Sequence, residues 1–151
     1  MYKLFILLFV CFELIACKIK LVDEVVKTYP DGKKAMVNMY EEGDSTKVVK
    51  RQIKYYQNGN IEVEGDFENG KRTGKWTYYY DSGNKWSEGT FENDLSNGKF
   101  TVWYKDGKIN YKSEYNKGQP DGKWTFYDEK EKPIKEVVFE KGNKKSEKKL
   151  D

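Results

Sequence analysis

From residue 55 to residue 141 the chain alternates apolar and polar positions in short runs broken by Gly-containing turns. A period of two is the pattern of half-buried β-strands, because successive side chains of a strand point to opposite faces. The pattern itself recurs. Gly59, Gly83 and Gly107 lie 24 residues apart, and so do Gly74, Gly98 and Gly122, each followed by Lys. Trp76, Phe100 and Trp124 keep the same step, each followed by Thr, and Phe67, Phe91, Tyr115 and Phe139 carry it into a fourth unit. A looser unit precedes them, with Gly32, Tyr40 and Gly43 placed 27 residues before Gly59, Phe67 and Gly70. Self-similarity at a fixed spacing is the sequence signature of a repeat architecture.

Each unit reads as a hairpin. Asn58-Gly59, Ser82-Gly83 and Asp106-Gly107 are signals for a two-residue type I′ turn, in which both central residues take positive φ. Asn69 to Gly74 and Asn93 to Gly98 read as longer loops joining one hairpin to the next. The prediction is an all-β protein: tandem 24-residue β-hairpin repeats forming a single curved antiparallel meander sheet of about ten strands. In that register Trp76 faces Gly89, Tyr78 faces Ser87, Tyr80 faces Lys85, Phe100 faces Ser113 and Trp124 faces Val137. Large rings opposite small residues mark the packed face, and Phe67, Phe91, Tyr115 and Phe139 complete its row. The other face carries Thr77, Glu88, Thr90, Lys99 and Glu114, together with a second aromatic row near the turns. That row is Tyr55, Tyr79, Trp103 and Tyr127, with Trp86 predicted to pair with Tyr79. These five residues form the candidate binding surface; alternatively the rings stabilise the sheet by cross-strand stacking. In the last unit the turn becomes Glu129 to Pro133, and proline and lysines there read as a capping strand. Residues 142–151 are then predicted to be a charged flexible tail.

Composition narrows the chemistry. The chain of 151 residues suits one domain. Only 37% of residues are apolar, yet 12 Tyr, 8 Phe and 4 Trp are present. Burial must therefore come from rings and from lysine stems laid along them, not from a thick aliphatic core. The net charge of +3 arises from 28 bases and 25 acids, and their interleaving describes a solvated surface, with no nucleic-acid footprint. The sequence has no His, which removes the commonest general base and metal ligand. Cys11 and Cys17 both lie in the N-terminal apolar stretch, so no disulfide framework or zinc cluster is expected. Carboxylates such as Asp66 and Glu68 fall on one strand face, the ordinary arrangement of an exposed sheet. No enzyme, cofactor or metal is predicted.

The N-terminus reads as an address. Lys3 is followed by an apolar run from Leu4 to Phe12, too short to span a bilayer, and Ala16 is the small residue that a signal peptidase needs. Leu14-Ile15-Ala16-Cys17 resembles the bacterial lipobox. The resemblance implies removal of residues 1–16 as a lipoprotein signal peptide. Cys17 would then be the first mature residue and the acyl acceptor, with a repeat domain over 17–141. Two or more acyl chains anchor a protein stably where one does not. The expected location is the bacterial cell envelope, on the outer membrane if the cell is Gram-negative.

The Asn-Gly turns, the Gly-Lys-Trp-Thr motifs at Gly74–Thr77 and Gly122–Thr125, and Phe-Glu-Asn-Gly at Phe67–Gly70 resemble the MORN repeat in its bacterial variant. Proteins of this variant are often labelled antitoxin components of the YwqK type. The likeness covers Tyr55 to Gly142 and, more loosely, Thr28 to Lys54. It implies a curved single-sheet meander and a scaffold that binds other proteins or membranes, with no catalytic residue. The functional expectation is an envelope-anchored, non-catalytic scaffold for a protein partner or cell-surface ligand. The alternatives are an immunity or antitoxin protein that neutralises a toxin and a cell-wall carbohydrate binder.

Overall fold

Among the described residues, the alternating pattern folds into antiparallel strands joined by turns, with no helix. A computed structural model describes residues 19–150; the predicted signal segment 1–16 and Cys17 lie outside the described residues. The strands are β1 (Leu21–Thr28), β2 (Lys34–Glu41), β3 (Val49–Tyr55), β4 (Ile61–Glu68), β5 (Lys71–Tyr79), β6 (Lys85–Glu92), β7 (Leu95–Trp103), β8 (Ile109–Asn116), β9 (Gln119–Pro120), β10 (Gly122–Tyr127), β11 (Pro133–Glu140) and β12 (Asn143–Lys149). They form one sheet in chain order, with the short β9 paired only to β8. At about 4.8 Å per strand the sheet is roughly 50 Å wide.

Two expectations about the connections are corrected. The hairpin tips at Gly59, Gly83 and Gly107 are not two-residue type I′ turns, since the glycine has positive φ and Asn58, Ser82 and Asp106 do not. At the middle tip the Gly83 amide donates to the Tyr80 carbonyl and the Tyr80 amide donates to the Asn84 carbonyl. This is a type I turn followed by a left-handed glycine, the three-residue hairpin loop. The side chains explain the choice: Asn58 and Asp106 each accept an amide hydrogen two residues on, from Asn60 and Lys108, which suits a right-handed first turn. The tight type I′ turns occur at the opposite ends of the strands. Asn69-Gly70, Asn93-Asp94, Lys117-Gly118 and Lys141-Gly142 all carry two consecutive positive φ values, so the longer loops predicted there are in fact the shortest connections. The other correction concerns the C-terminus. Asn143–Lys149 pairs with β11, so the predicted flexible tail is a strand and β11 with Pro133 is not the terminal one. Its lysine-rich sequence made it read as a tail, but the Lys141-Gly142 turn and the backbone of β11 accept it as an edge.

The register of the packed face is as predicted except beside the turn, where Lys85 pairs with Tyr79 and not with Tyr80 because β6 carries an extra residue there. Trp76 pairs with Gly89, Tyr78 with Ser87, Phe100 with Ser113 and Trp124 with Val137. The rings, however, do not lie over those partners. Between the pairs Asp66–Thr73 and Glu64–Thr77, the three residues Gly74, Lys75 and Trp76 of β5 stand opposite the single Gly65 of β4. This wide bulge turns Trp76 back across β4, where a Cβ on Gly65 would overlap the indole. Phe100 covers Gly89 in the same way one unit later. The indoles of Trp76 and Trp124 donate to the carbonyls of Asp66 and Glu114 at 3.1 and 3.0 Å. Each large ring is thus seated on the strand before it, where Gly65, Gly89 and Ser113 are all buried.

Seven rings consequently run across the sheet in unbroken contact. The centroid distances are 5.2 Å for Phe67–Trp76, 6.2 Å for Trp76–Phe91, 5.5 Å for Phe91–Phe100 and 5.1 Å for Phe100–Tyr115. Tyr115–Trp124 and Trp124–Phe139 follow at 5.2 and 4.9 Å. The first four contacts are edge-to-face, the geometry a ring quadrupole prefers. Val63, Trp76 and Phe91 are the buried centre.

Gly65→Ala and Gly89→Ala should each lower stability by about 1–3 kcal/mol, the usual cost of overfilling a packed site. Urea unfolding followed by tryptophan fluorescence measures it; an unchanged midpoint would mean that the rings do not depend on these glycines.

Candidate binding surface

Cross-strand partners share a face, so the register places the second aromatic row. Tyr55 pairs with Ile61, Tyr79 with Lys85, Trp103 with Ile109 and Tyr127 with Pro133. The row across the face is Tyr55, Ile61, Tyr79, Lys85, Trp103, Ile109, Tyr127, Pro133. Its four rings are each partly exposed, and rings two strands apart stand about 10 Å from one another. The structure therefore brings Tyr55, Tyr79, Trp103 and Tyr127 onto one face.

Trp86 is not with them. A register shift falls between Tyr78 and Tyr79, whose partners are Ser87 and Lys85. Trp86 is the extra residue of this bulge, and a bulge places two neighbouring side chains on the same side. Its ring lies 6.0 Å from Tyr78 and 6.4 Å from Tyr80, on the packed side of the sheet. The prediction that it pairs with Tyr79 is thereby corrected. The corresponding positions hold Glu62, Asn110 and Ile134, so the repeat itself offered no sign of the bulge.

A further tyrosine row holds the candidate rings in place. Tyr29, Tyr56, Tyr80 and Tyr104 donate their hydroxyls to the carbonyls of Tyr55, Tyr79, Trp103 and Tyr127, at 2.6, 2.8, 2.9 and 3.4 Å. Each hairpin tip is in this way tied to the backbone of a candidate ring in the next unit. The spacing of Tyr56, Tyr80 and Tyr104, again 24 residues, was a readable signal for this role. The next member of the series is Asp128, and the row stops there.

The face carries an ionic network around Tyr79. Its hydroxyl donates to Glu64 at 2.7 Å, and Arg51 donates to Glu64 and to Asp66, both at 2.7 Å. Burial and the bond to the Glu64 carboxylate push the Tyr79 phenol up to about 12. Burial would raise Glu64, but the hydrogen bonds from Tyr79 and Arg51 outweigh it and hold the carboxyl below its ordinary value. Farther along, lysines sit over the rings. The Lys85 ammonium lies 5.6 Å from the centroid of Trp103 and that of Lys112 lies 5.8 Å from Tyr127. Cation–π contacts at exposed sites contribute roughly 0.5–1 kcal/mol. In a chain so rich in lysine, no spacing singled these two out. Among the described residues, no group of three His, Cys, Asp or Glu side chains could hold a metal.

Two outcomes test this arrangement. Tyr80→Phe should cost about 1 kcal/mol, one net hydrogen bond, with the register unchanged by amide NMR; a loss within error would show that solvent replaces the hydroxyl. The titrations have defined signs. A phenol raised from 10.0 to about 12 gives stability that is complete below pH 10 and is lost as pH rises through about 12. A depressed Glu64 gives stability that is present above 4.5 and is lost as acid protonates it. Burial also raises Tyr56, Tyr80 and Tyr115, so ultraviolet titration of tyrosinate should find several late phenols, of which the one near 12 moves back toward the ordinary range in Glu64→Gln.

Sequence comparison agrees with these boundaries. Residues 49–69, 72–93 and 96–117 each match the family described as the MORN repeat variant, and the three segments coincide with the β3–β4, β5–β6 and β7–β8 hairpins. No curated protein matches the chain. The central three hairpins of the sheet are thus similar, in sequence and in extent, to MORN-variant repeats.

Proposed function

We propose that this protein is an envelope-anchored lipoprotein that serves as a non-catalytic scaffold, binding a protein partner on the face formed by Tyr55, Tyr79, Trp103 and Tyr127. The observation that carries the reading is the row itself. The backbones of four partly exposed rings are tied at a fixed spacing by tyrosine hydroxyls donated from the preceding units. Aromatic side chains on rigid elements supply large contact area at little entropic cost. Similarity to MORN-variant repeats supports a scaffold role, and Leu14-Ile15-Ala16-Cys17 supports anchoring through lipid on Cys17.

The test combines location with contact. In cells, the native chain should fractionate with membranes and show an acylated N-terminus at Cys17 by intact mass, whereas Cys17→Ala should do neither. A photo-crosslinker at Thr101, on the aromatic face, should capture a protein partner, and Tyr79→Ala with Trp103→Ala should abolish that adduct. A crosslinker at Ser87, on the packed face, should capture none. A soluble native chain with Met1 intact would remove the anchor; equal adducts from both faces would remove the surface.

A further inference from the structure

The two halves of the aromatic face satisfy their charges differently. In the N-terminal half, Arg51 pairs with Glu64 and Asp66, and Lys75 and Lys85 both pair with Glu88. In the C-terminal half, Lys99, Lys112 and Lys123 line one cleft of about 370 Å³ together with Thr101, Ser113 and Glu114. Lys123 pairs with Glu136 at 2.7 Å. Lys99 and Lys112 make no ion pair among the described residues. Glu114 leaves them unneutralised because its carboxylate is turned onto Gly122, where an added Cβ would stand 2.8 Å from its oxygen.

The strand pairing beneath the cleft follows the rest of the repeat. β10 meets β8 at Lys112–Thr125 and Tyr111–Phe126, and β9 meets it at Tyr115–Pro120 and Asn116–Gln119, much as β7 meets β6 on either side of its bulge. Lys99 stands directly across from Glu114. Lys99 and Lys112 are both exposed.

The nature of the occupant follows from what surrounds the cleft. The Lys85 and Lys112 ammonium groups lie 5.6 and 5.8 Å from the centroids of Trp103 and Tyr127, so the rings share this face with positive charge. Anionic chemistry is favoured. A dense polyanion would also meet Glu114 and Glu136, whereas carboxylates spaced between apolar side chains could place charge at Lys99 and Lys112 and hydrocarbon on the rings. We infer that this cleft and the adjoining Trp103 and Tyr127 bind an acidic, aromatic-containing peptide segment of the protein partner. The inference rests on the reading of this face as a protein-binding surface and adds the chemistry of what it takes.

The experiment uses the full-length chain in non-ionic detergent, with no membrane present, so the fate of the lipid anchor does not affect it. Fluorescence anisotropy would follow a labelled peptide alternating Glu with Phe, the same peptide with Gln in place of Glu, and labelled inorganic polyphosphate. The Glu peptide should bind with micromolar affinity that falls as salt screens the exposed ammonium groups. The Gln peptide should bind at least about tenfold more weakly, in keeping with the loss of charge-assisted hydrogen bonds. Lys99→Gln with Lys112→Gln should weaken the Glu peptide by a similar factor, while Lys75→Gln, in the paired half, should leave it unchanged. Both lysines of the double variant are exposed, and an unchanged urea midpoint would show that its fold is intact. Equal binding of the Glu and Gln peptides, indifference to the double variant, tighter binding of polyphosphate, or no binding of the Glu peptide would each overturn the inference. Crosslinking at Thr101 alongside any of those results would leave the scaffold reading standing and this one refuted.

Discussion

The rest of the structure depends on one contact, a large ring laid over a glycine on the preceding strand. A single sheet has no second layer to bury its apolar face, so the face must cover itself. Trp76 over Gly65 and Phe100 over Gly89 do this by filling the space where a side chain would otherwise stand. The wide bulges that carry the rings backwards are part of the same device, and the indole bonds to Asp66 and Glu114 fix the orientation. Repetition then turns a local contact into a continuous layer, because each large ring touches the far-end rings of both its own hairpin and the preceding one. Cations extend the layer. Arg72 lies 4.2 Å from the centroid of Phe91 and Lys135 lies 4.2 Å from Phe126, so charged stems supply cover that the scarce aliphatic residues cannot.

The units at either end show what replaces the contact. In the first, the positions of the ring and the glycine hold Gln52 and Asn38, and their amides hydrogen-bond at 2.9 Å. A polar pair thus closes the layer, which is why the repeat looked loose before Lys50 although the strands β1 to β3 form. At the other end β12 presents Lys144, Lys145, Lys148 and Lys149, all exposed. Mutual repulsion of such side chains opposes the pairing of another strand on that edge. A hydrophilic sequence does not preclude a strand when the neighbouring backbone offers a complete ladder.

The two faces of the sheet are coupled through the tyrosines at the hairpin tips. Each hydroxyl donates to a carbonyl beside the bulge at the strand end, and that carbonyl belongs to a residue of the candidate row. The packing of one unit against the next therefore also sets the spacing of the rings presented on the other face. The candidate surface inherits the spacing of the repeat, and its variation lies in the residues between the rings: ion-paired acids and bases toward β3, unpaired lysines toward β10.

The sequence by itself determined the strand content, the 24-residue unit, the assignment of residues to two faces and the pairing of Trp76, Phe100 and Trp124 with their partners. All of these follow from period-two alternation and from turn residues at constant spacing, which are local properties. It also identified Tyr55, Tyr79, Trp103 and Tyr127 as one row, since equal steps along a regular repeat give equal positions across the sheet. Tertiary structure decided the rest. The bulge at Trp86 reversed the side on which that ring emerges, and bulges arise from how neighbouring strands meet. The choice between turn types at Asn58 and Asn69 depended on the register that the flanking strands adopt. Which strand a ring covers, which carbonyl a tyrosine reaches and which lysines remain unpaired are contacts between units, set by distance in space where the sequence records only order along the chain.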